Sequence, residues 1–187
     1  ENPFIIIYAG AHGIANDLSN VINAAKLLKN DPVKFVFIGD GPTKNDLILQ
    51  AINLKNVIFM PAVSKDLIPK KMSEANAILI SLADIKLFQY GISPNKLYDA
   101  YALARPVIST LKGSINNQID NLKLGLTSDP GNPNDLSNII KKMYRLPKEE
   151  RENMGYRSRR LAEEIYNRDK IRKMYSSLIA NILEDND

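Results

Sequence analysis

The segment GISPNKLYDAYALARPVIST, residues 91–110, gathers residue types that can do chemistry on an anionic ligand. Ser93-Pro94-Asn95 forms a turn signal that leads into helical periodicity. Ser93 or Asn95 is placed to cap that helix, and Lys96 falls in its first turn. A helix N-terminus beside a lysine suits a diphosphate, because the amide dipoles and the ammonium attract the same anion. Asp99 follows Lys96 by three residues, on the adjacent turn and the same side. Its carboxylate can accept the hydroxyl protons of a ribose. Equally, it can form a solvated pair with Lys96 worth only about 0.2–0.5 kcal/mol. The residues alone leave both readings open.

Three other short stretches carry similar equipment. Gly10-Ala11-His12-Gly13 follows an apolar run, and glycines three apart let backbone N–H groups approach phosphate oxygens. A plain turn explains the same residues. The segment is neither GxGxxG nor a phosphate-binding GxxxxGK[ST] loop. Gly39-Asp40-Gly41-Pro42 can flank a nucleotide or serve only as a tight connection. At Met60-Pro61-Ala62, backbone groups past a strand end can read the edge of a base. The connection from Ala83 to Ser93 is longer than most between such elements, which favours a functional role.

These stretches need elements to hold them. Apolar runs alternate with helical periodicity along the whole chain. Strands are expected at Phe4–Ala9, Val33–Ile38, Asn56–Met60, Ala77–Leu82 and Pro106–Thr110, with a weaker one at GLTSD from Gly125. Helices are expected at Asp17–Leu28, from Pro42 through Ala51, from a Ser64 cap to Ala75 with Pro69 as a break or kink, and from Ser93-Pro94 to an exit at Arg105-Pro106. Further helices are expected at Ser114–Asn121, Asn134–Tyr144, Lys148–Asn167 and Asp169–Leu183. Strands that lack period-2 alternation and are separated by helices imply a parallel sheet covered on both faces. The expected fold is therefore α/β, a Rossmann-like doubly wound parallel sheet of about six strands with extra C-terminal helices. Its ligand crevice lies at the carboxyl ends of the strands.

Composition narrows the function. The 187 residues suffice for one α/β domain with a substantial core, and 44% hydrophobic with 25% charged residues is ordinary for a globular protein. No cysteine means no disulfide and no thiolate chemistry, which fits a cytoplasmic location. A single histidine, His12, counts against a histidine-based metal site or a Ser-His-Asp triad. No apolar run reaches the roughly 20 residues of a membrane span. The net charge of +4 is concentrated late, over 141–160. That stretch reads as a solvated basic face, or as one that meets the inner face of an anionic membrane. Nucleic acid is disfavoured, since basic and aromatic residues do not interleave. The chain opens directly on a buried-strand pattern, which suggests a domain cut from a longer protein, the alternative being a processed or differently started small protein.

The order of these signals resembles the C-terminal, nucleotide-sugar-binding half of GT-B glycosyltransferases, most closely the large retaining family 4. The likeness covers nearly the whole chain. It rests on YAG-x-x-G, VKFVFIGDGP, NVIFMPAVSKDLIP, ANAILISL and SPNKLYDAYALARPVIST. The last is similar to a segment of bacterial transferases that build surface polysaccharides.

The resemblance implies transfer of a sugar from a nucleotide donor, UDP-linked, to a hydroxyl acceptor with retention of configuration. It implies no cofactor beyond that donor substrate, and no metal. Asp99 falls on the second acid of the family's Glu-x7-Glu motif and would hold the donor ribose. Gly91 falls on the first, where it cannot do a glutamate's work. Ser93, Asn95 and Lys96 would contact diphosphate and sugar, with Lys96 as the catalytic cation. The turn from Gly10 to Gly13, with Gly10 and Gly13 as donor-site residues, would supply N–H groups, and Met60, Pro61 and Ala62 would read the base. Many members carry basic residues after the first strand, where this chain has only His12. One domain is expected over 1–187, with 147–187 as C-terminal helices packed on it. The acceptor, a glycan or lipid-linked molecule, would be bound by an N-terminal domain outside this chain. The departure at Gly91 leaves a non-catalytic nucleotide-binding or scaffolding subunit as an alternative, and a sugar-nucleotide epimerase as a weaker one.

Overall fold

The computed structural model describes residues 2–86, 88 and 92–184. Six parallel strands form one sheet: β1 (Phe4–Ala9), β2 (Val33–Ile38), β3 (Val57–Met60), β4 (Ala77–Ile80), β5 (Val107–Ser109) and β6 (Gly125–Thr127). Their spatial order is β3-β2-β1-β4-β5-β6. The helices are α1 (Leu18–Leu27), α2 (Lys44–Gln50), α3 (Ile68–Ser73), α4 (Asn95–Ala102), α5 (Ser114–Asn121), α6 (Pro133–Arg145), α7 (Lys148–Glu164) and α8 (Arg168–Glu184). A 3₁₀ turn at Ile14–Asn16 precedes α1.

The strands read as continuous apolar runs because both faces are covered. Ile6, Tyr8, Phe35, Phe37, Leu79 and Ile108 face one core, filled by Leu18, Val21 and Ile22 of α1, Leu47 of α2, and Leu136, Ile140 and Met143 of α6. The alternate residues Ile7, Ala9, Ile38, Ile78, Ile80 and Val107 face the other, with Met72 of α3, Leu97 and Tyr101 of α4 and Ile119 of α5. Each Val, Leu, Ile, Phe or Met among these contributes about 1.5–3 kcal/mol when fully buried, so helix placement follows from the period of two along each strand.

The winding creates the crevice. From β1 the chain steps outward through β2 to β3, then returns past β1 to β4 and winds outward the other way. The connection after β1 therefore leaves on one face and that after β4 on the other, which is where doubly wound sheets bind ligands. The β1–β4 ladder pairs only Ile6 with Ala77 and Ile7 with Ile78, stopping two residues before either strand ends.

Several boundaries differ from expectation. Pro42 stands before α2, which starts at Lys44. The third helix is short and begins at Ile68, so Ser64 does not cap it and Pro69 sits in its first turn. Proline costs nothing there, because first-turn amides have no intrahelical acceptor. Asn56 precedes β3: its carbonyl accepts from Phe35 N at 2.8 Å and its side chain donates to Ala25 O at 2.9 Å.

The last two helices differ in how they meet the rest of the described residues. Met154 of α7 enters the first core and Leu161 packs against the second. Gly155 lets α7 approach the backbone so closely that a Cβ there would lie 2.0 Å from Ala104 O. Helix α8 stands off instead: residues 172–183 are all exposed. Among them Met174, Tyr175, Leu178 and Ile179 form a stripe at helical spacing that meets no facing surface among the described residues. Among the described residues, no helix is long and apolar enough to cross a membrane.

Candidate functional site

Past the end of β1, the chain turns through Gly10-Ala11-His12-Gly13 at the rim of the crevice. The turn is tied to its neighbour: Gly10 N donates to Ile38 O at 2.9 Å, and His12 N donates to Asp40 O at 2.8 Å. The His12 carbonyl accepts from Thr43 N at 3.1 Å and from Thr43 Oγ1 at 2.7 Å. Gly39 is required by this closeness, since a Cβ there would sit 2.0 Å from Gly10 O. Lys44 closes the neighbouring strand ends, donating to Gly39 O at 2.6 Å and Met60 O at 3.2 Å. Of the loop amides, Ala11 N–H and Gly13 N–H carry no hydrogen bond among the described residues, whereas Gly10 N–H is occupied. Within the Gly10–Gly13 turn the free donors are therefore the Ala11 and Gly13 amides.

Across the crevice, α4 points its N-terminus toward this loop. Pro94 is its N-cap, and neither Ser93 nor Asn95 caps it. The Ser93 hydroxyl lies 2.9 Å from the Tyr98 hydroxyl instead, and Tyr98 packs on Tyr166 with ring centroids 4.7 Å apart. Both Ser93 and Asn95 are exposed.

Lys96 reaches back under the loop. Its ammonium donates to Tyr8 Oη at 2.8 Å and to Asn16 Oδ1 at 3.3 Å, and lies 4.3 Å from the centre of the Tyr8 ring. Gly10 has no side chain where Lys96 passes: a Cβ would stand 2.9 Å from Nζ. Burial pushes the ammonium down to about 8. An ammonium has three protons, so one remains for a ligand beyond Tyr8 and Asn16. The Lys96–Asp99 ion pair does not form; it is absent from the ion pairs among the described residues. Asp99 is exposed as a residue, yet local desolvation pushes its carboxyl above its usual range. An exposed, unpaired carboxylate in the second turn of α4 is suited to accept hydroxyl protons.

His12 is the one imidazole of the loop and of the chain. It is 0% exposed, with its ring among those of Tyr8, Phe37 and Phe59. Burial first, then the nearby Lys44 charge, lowers its pKa. Neither ring nitrogen has a partner among the described residues. Such an imidazole is neutral near pH 7 and adds no cation to the crevice.

At the end of β3 the Met60 carbonyl is occupied by Lys44 Nζ and, at 3.4 Å, by Gly39 N. Pro61 O and Ala62 N–H carry no hydrogen bond among the described residues, and both residues are exposed. They remain the groups able to read a base edge. Gly91 lies outside the described residues. Among the described residues, no three His, Asp or Glu side chains are grouped to hold a metal ion. A concavity of about 690 Å³ bordered by Phe4, Ile5, Tyr144 and Arg151 lies at the amino ends of the strands, the opposite edge, and is separate from this site. Sequence reading missed Tyr8, Asn16, Thr43 and Lys44. Tyr8 alone carried a visible signal, a polar tip within an otherwise aliphatic strand.

Residues 1–161 match the family described as Glycosyl transferases group 1. The chain belongs to that family. It is 27% identical over 146 residues to WbjE of Pseudomonas aeruginosa, described as a probable glycosyltransferase; the match covers 74% of this chain and 35% of that protein. It is 34% identical over 82 residues to WcaI of Escherichia coli K12, whose name assigns it to colanic acid biosynthesis as a glycosyl transferase. That match covers 43% of this chain and 20% of WcaI. HepE of Anabaena, solved with UDP, shares the fold at a TM-score of 0.82 and 15% identity, covering 96% of this chain and 49% of HepE. HepE has also been solved with UDP-glucose. The chain thus spans about a third of WbjE and half of HepE. The GT-B resemblance in the sequence and the six-stranded parallel sheet agree with this membership in the group 1 family.

Proposed function

We propose that this chain is the donor half of a glycosyltransferase that binds a UDP-linked sugar. In this reading it belongs to the synthesis of a surface polysaccharide or glycolipid. The observation that carries the reading is the meeting of three anion-seeking features at the β1/β4 crevice. These are the free N–H groups of Ala11 and Gly13, the N-terminus of α4, and the half-buried Lys96 ammonium with one proton unassigned. The diphosphate sits between them, the ribose hydroxyls reach Asp99, and the base lies against Pro61 and Ala62.

In the transfer, the bond from the anomeric carbon to the β-phosphate oxygen breaks and a bond to the acceptor oxygen forms on the same face. The acceptor hydroxyl's proton passes to the departing β-phosphate oxygen. Negative charge gathers on the leaving phosphate, where Lys96 and the loop amides stabilise it. Losing one such preorganised donor costs roughly 100- to 1000-fold in rate. The relatives' greater length supports an acceptor-binding half outside this chain, and the bare apolar stripe of α8 offers it a surface. We place the reaction in the cytoplasm, with the basic late helices turned to the inner face of the membrane.

Calorimetric titration with UDP, GDP and CMP tests the site. UDP is expected to bind, and Lys96→Ala and Asp99→Ala each to weaken it roughly tenfold, the equivalent of one charge-assisted hydrogen bond. Absence of binding by every nucleotide at millimolar concentration would refute the assignment. So would wild-type affinity in both variants.

A further inference from the structure

Lys96 is held by Tyr8, a residue to which no contact with the donor is assigned above. We propose that Tyr8 is a positioning residue whose hydroxyl sets the Lys96 ammonium and the glycine loop in one register, so that cation and free amides meet the same phosphate. This rests on the donor-site reading above.

Tyr8 is 1% exposed, so its hydroxyl acts through neighbours and does not touch the ligand. It donates to Ala11 O at 2.7 Å and accepts from Lys96 Nζ at 2.8 Å. The peptide joining Ala11 to His12 is thereby clamped at both ends. Its carbonyl is held by Tyr8, and its N–H by Asp40 O. The peptides on either side carry the free Ala11 and Gly13 N–H groups, and the clamp fixes their direction. Burial raises the phenol's pKa well above its ordinary value, so the hydroxyl keeps its proton for Ala11 while its lone pair faces Lys96. Packing against Phe37 and His12 needs only the ring, which phenylalanine would supply. The hydroxyl is explained by the two bonds.

Tyr8→Phe separates these roles. NMR of ¹³C-labelled lysine, with the Lys96 signal assigned by its loss in Lys96→Met, reads the ammonium's titration directly. Calorimetry with UDP between pH 7 and 9.5 reads its consequence. The wild-type Lys96 signal and the wild-type UDP affinity should both break near pH 8. In Tyr8→Phe the break should move down by about one pH unit, because the charged form loses an acceptor, and UDP affinity at pH 8 should fall roughly three- to fivefold. Asn16→Ala, which removes the longer contact, should move the break less. A folded Tyr8→Phe protein whose break stays in place overturns the proposal. Uniform weakening at every pH without a moved break also overturns it, since that is a packing effect. If Lys96→Met binds UDP with the wild-type affinity and break, the donor-site reading fails and takes the proposal with it. A flat profile in Lys96→Met beside an unmoved break in Tyr8→Phe rejects Tyr8 alone.

Discussion

Lys96→Met should make the protein more stable near neutral pH while weakening its hold on a diphosphate. Burial lowers the Lys96 ammonium from 10.5 to about 8, so the folded state holds this charge at a cost. At about 1.4 kcal/mol per pH unit, that drop corresponds to a ceiling of about 3 kcal/mol. Partial solvent access and the lost bonds to Tyr8 and Asn16 reduce it, leaving a gain of about 1–2 kcal/mol for methionine. The direction with pH is fixed. Between about 8 and 10.5 the unfolded chain holds a proton at this lysine that the folded chain has released. Stability of the native protein therefore rises with pH through that window, and the penalty is fully present below it. Urea unfolding of both proteins at pH 7 and pH 9.5 measures the effect, because every other titrating group cancels in the difference. The methionine variant should lead at pH 7, and its lead should shrink at pH 9.5. A variant less stable than wild type at pH 7 would refute the reasoning. A difference independent of pH would refute it too.

Two further outcomes follow from the same rim. Gly39→Ala should lower stability by about 1–3 kcal/mol and weaken UDP binding, because its Cβ would press within 2.0 Å of Gly10 O at a φ of +146°; thermal melts and calorimetry check both. The folded His12 titrates below its ordinary value, so the unfolded chain takes up the proton first as pH falls through about 6.5. Native stability should drop in that acid range, and His12→Leu should lose this dependence in melts followed from pH 7.5 to 5.

The fold was legible because its signals are local. Each strand announces itself by a short apolar run, and Phe4–Ala9 and Val33–Ile38 appear at the expected residues. The helices of the second half follow from periods of three and four, as Ser114–Asn121 does. Boundaries failed where a proline or polar residue had two local meanings. Pro69 reads as a kink in sequence, but it occupies a first turn because the helix starts late.

The sequence by itself determined the order of elements, the doubly wound class, and the presence of a glycine loop, a lysine and an acid at strand ends. Which groups remain free was decided only by the tertiary structure. Lys96 finds its partner 88 residues away at Tyr8, instead of three residues away at Asp99. Gly10 loses its amide to Ile38, while Ala11 and Gly13 keep theirs. His12, the loop's one basic-looking side chain, is turned into the aromatic core. Periodicity reports which face a residue turns to the core, and that depends on its neighbours in sequence. A hydrogen-bond partner depends on which strand lies alongside, and that is settled only when β1 lies between β2 and β4.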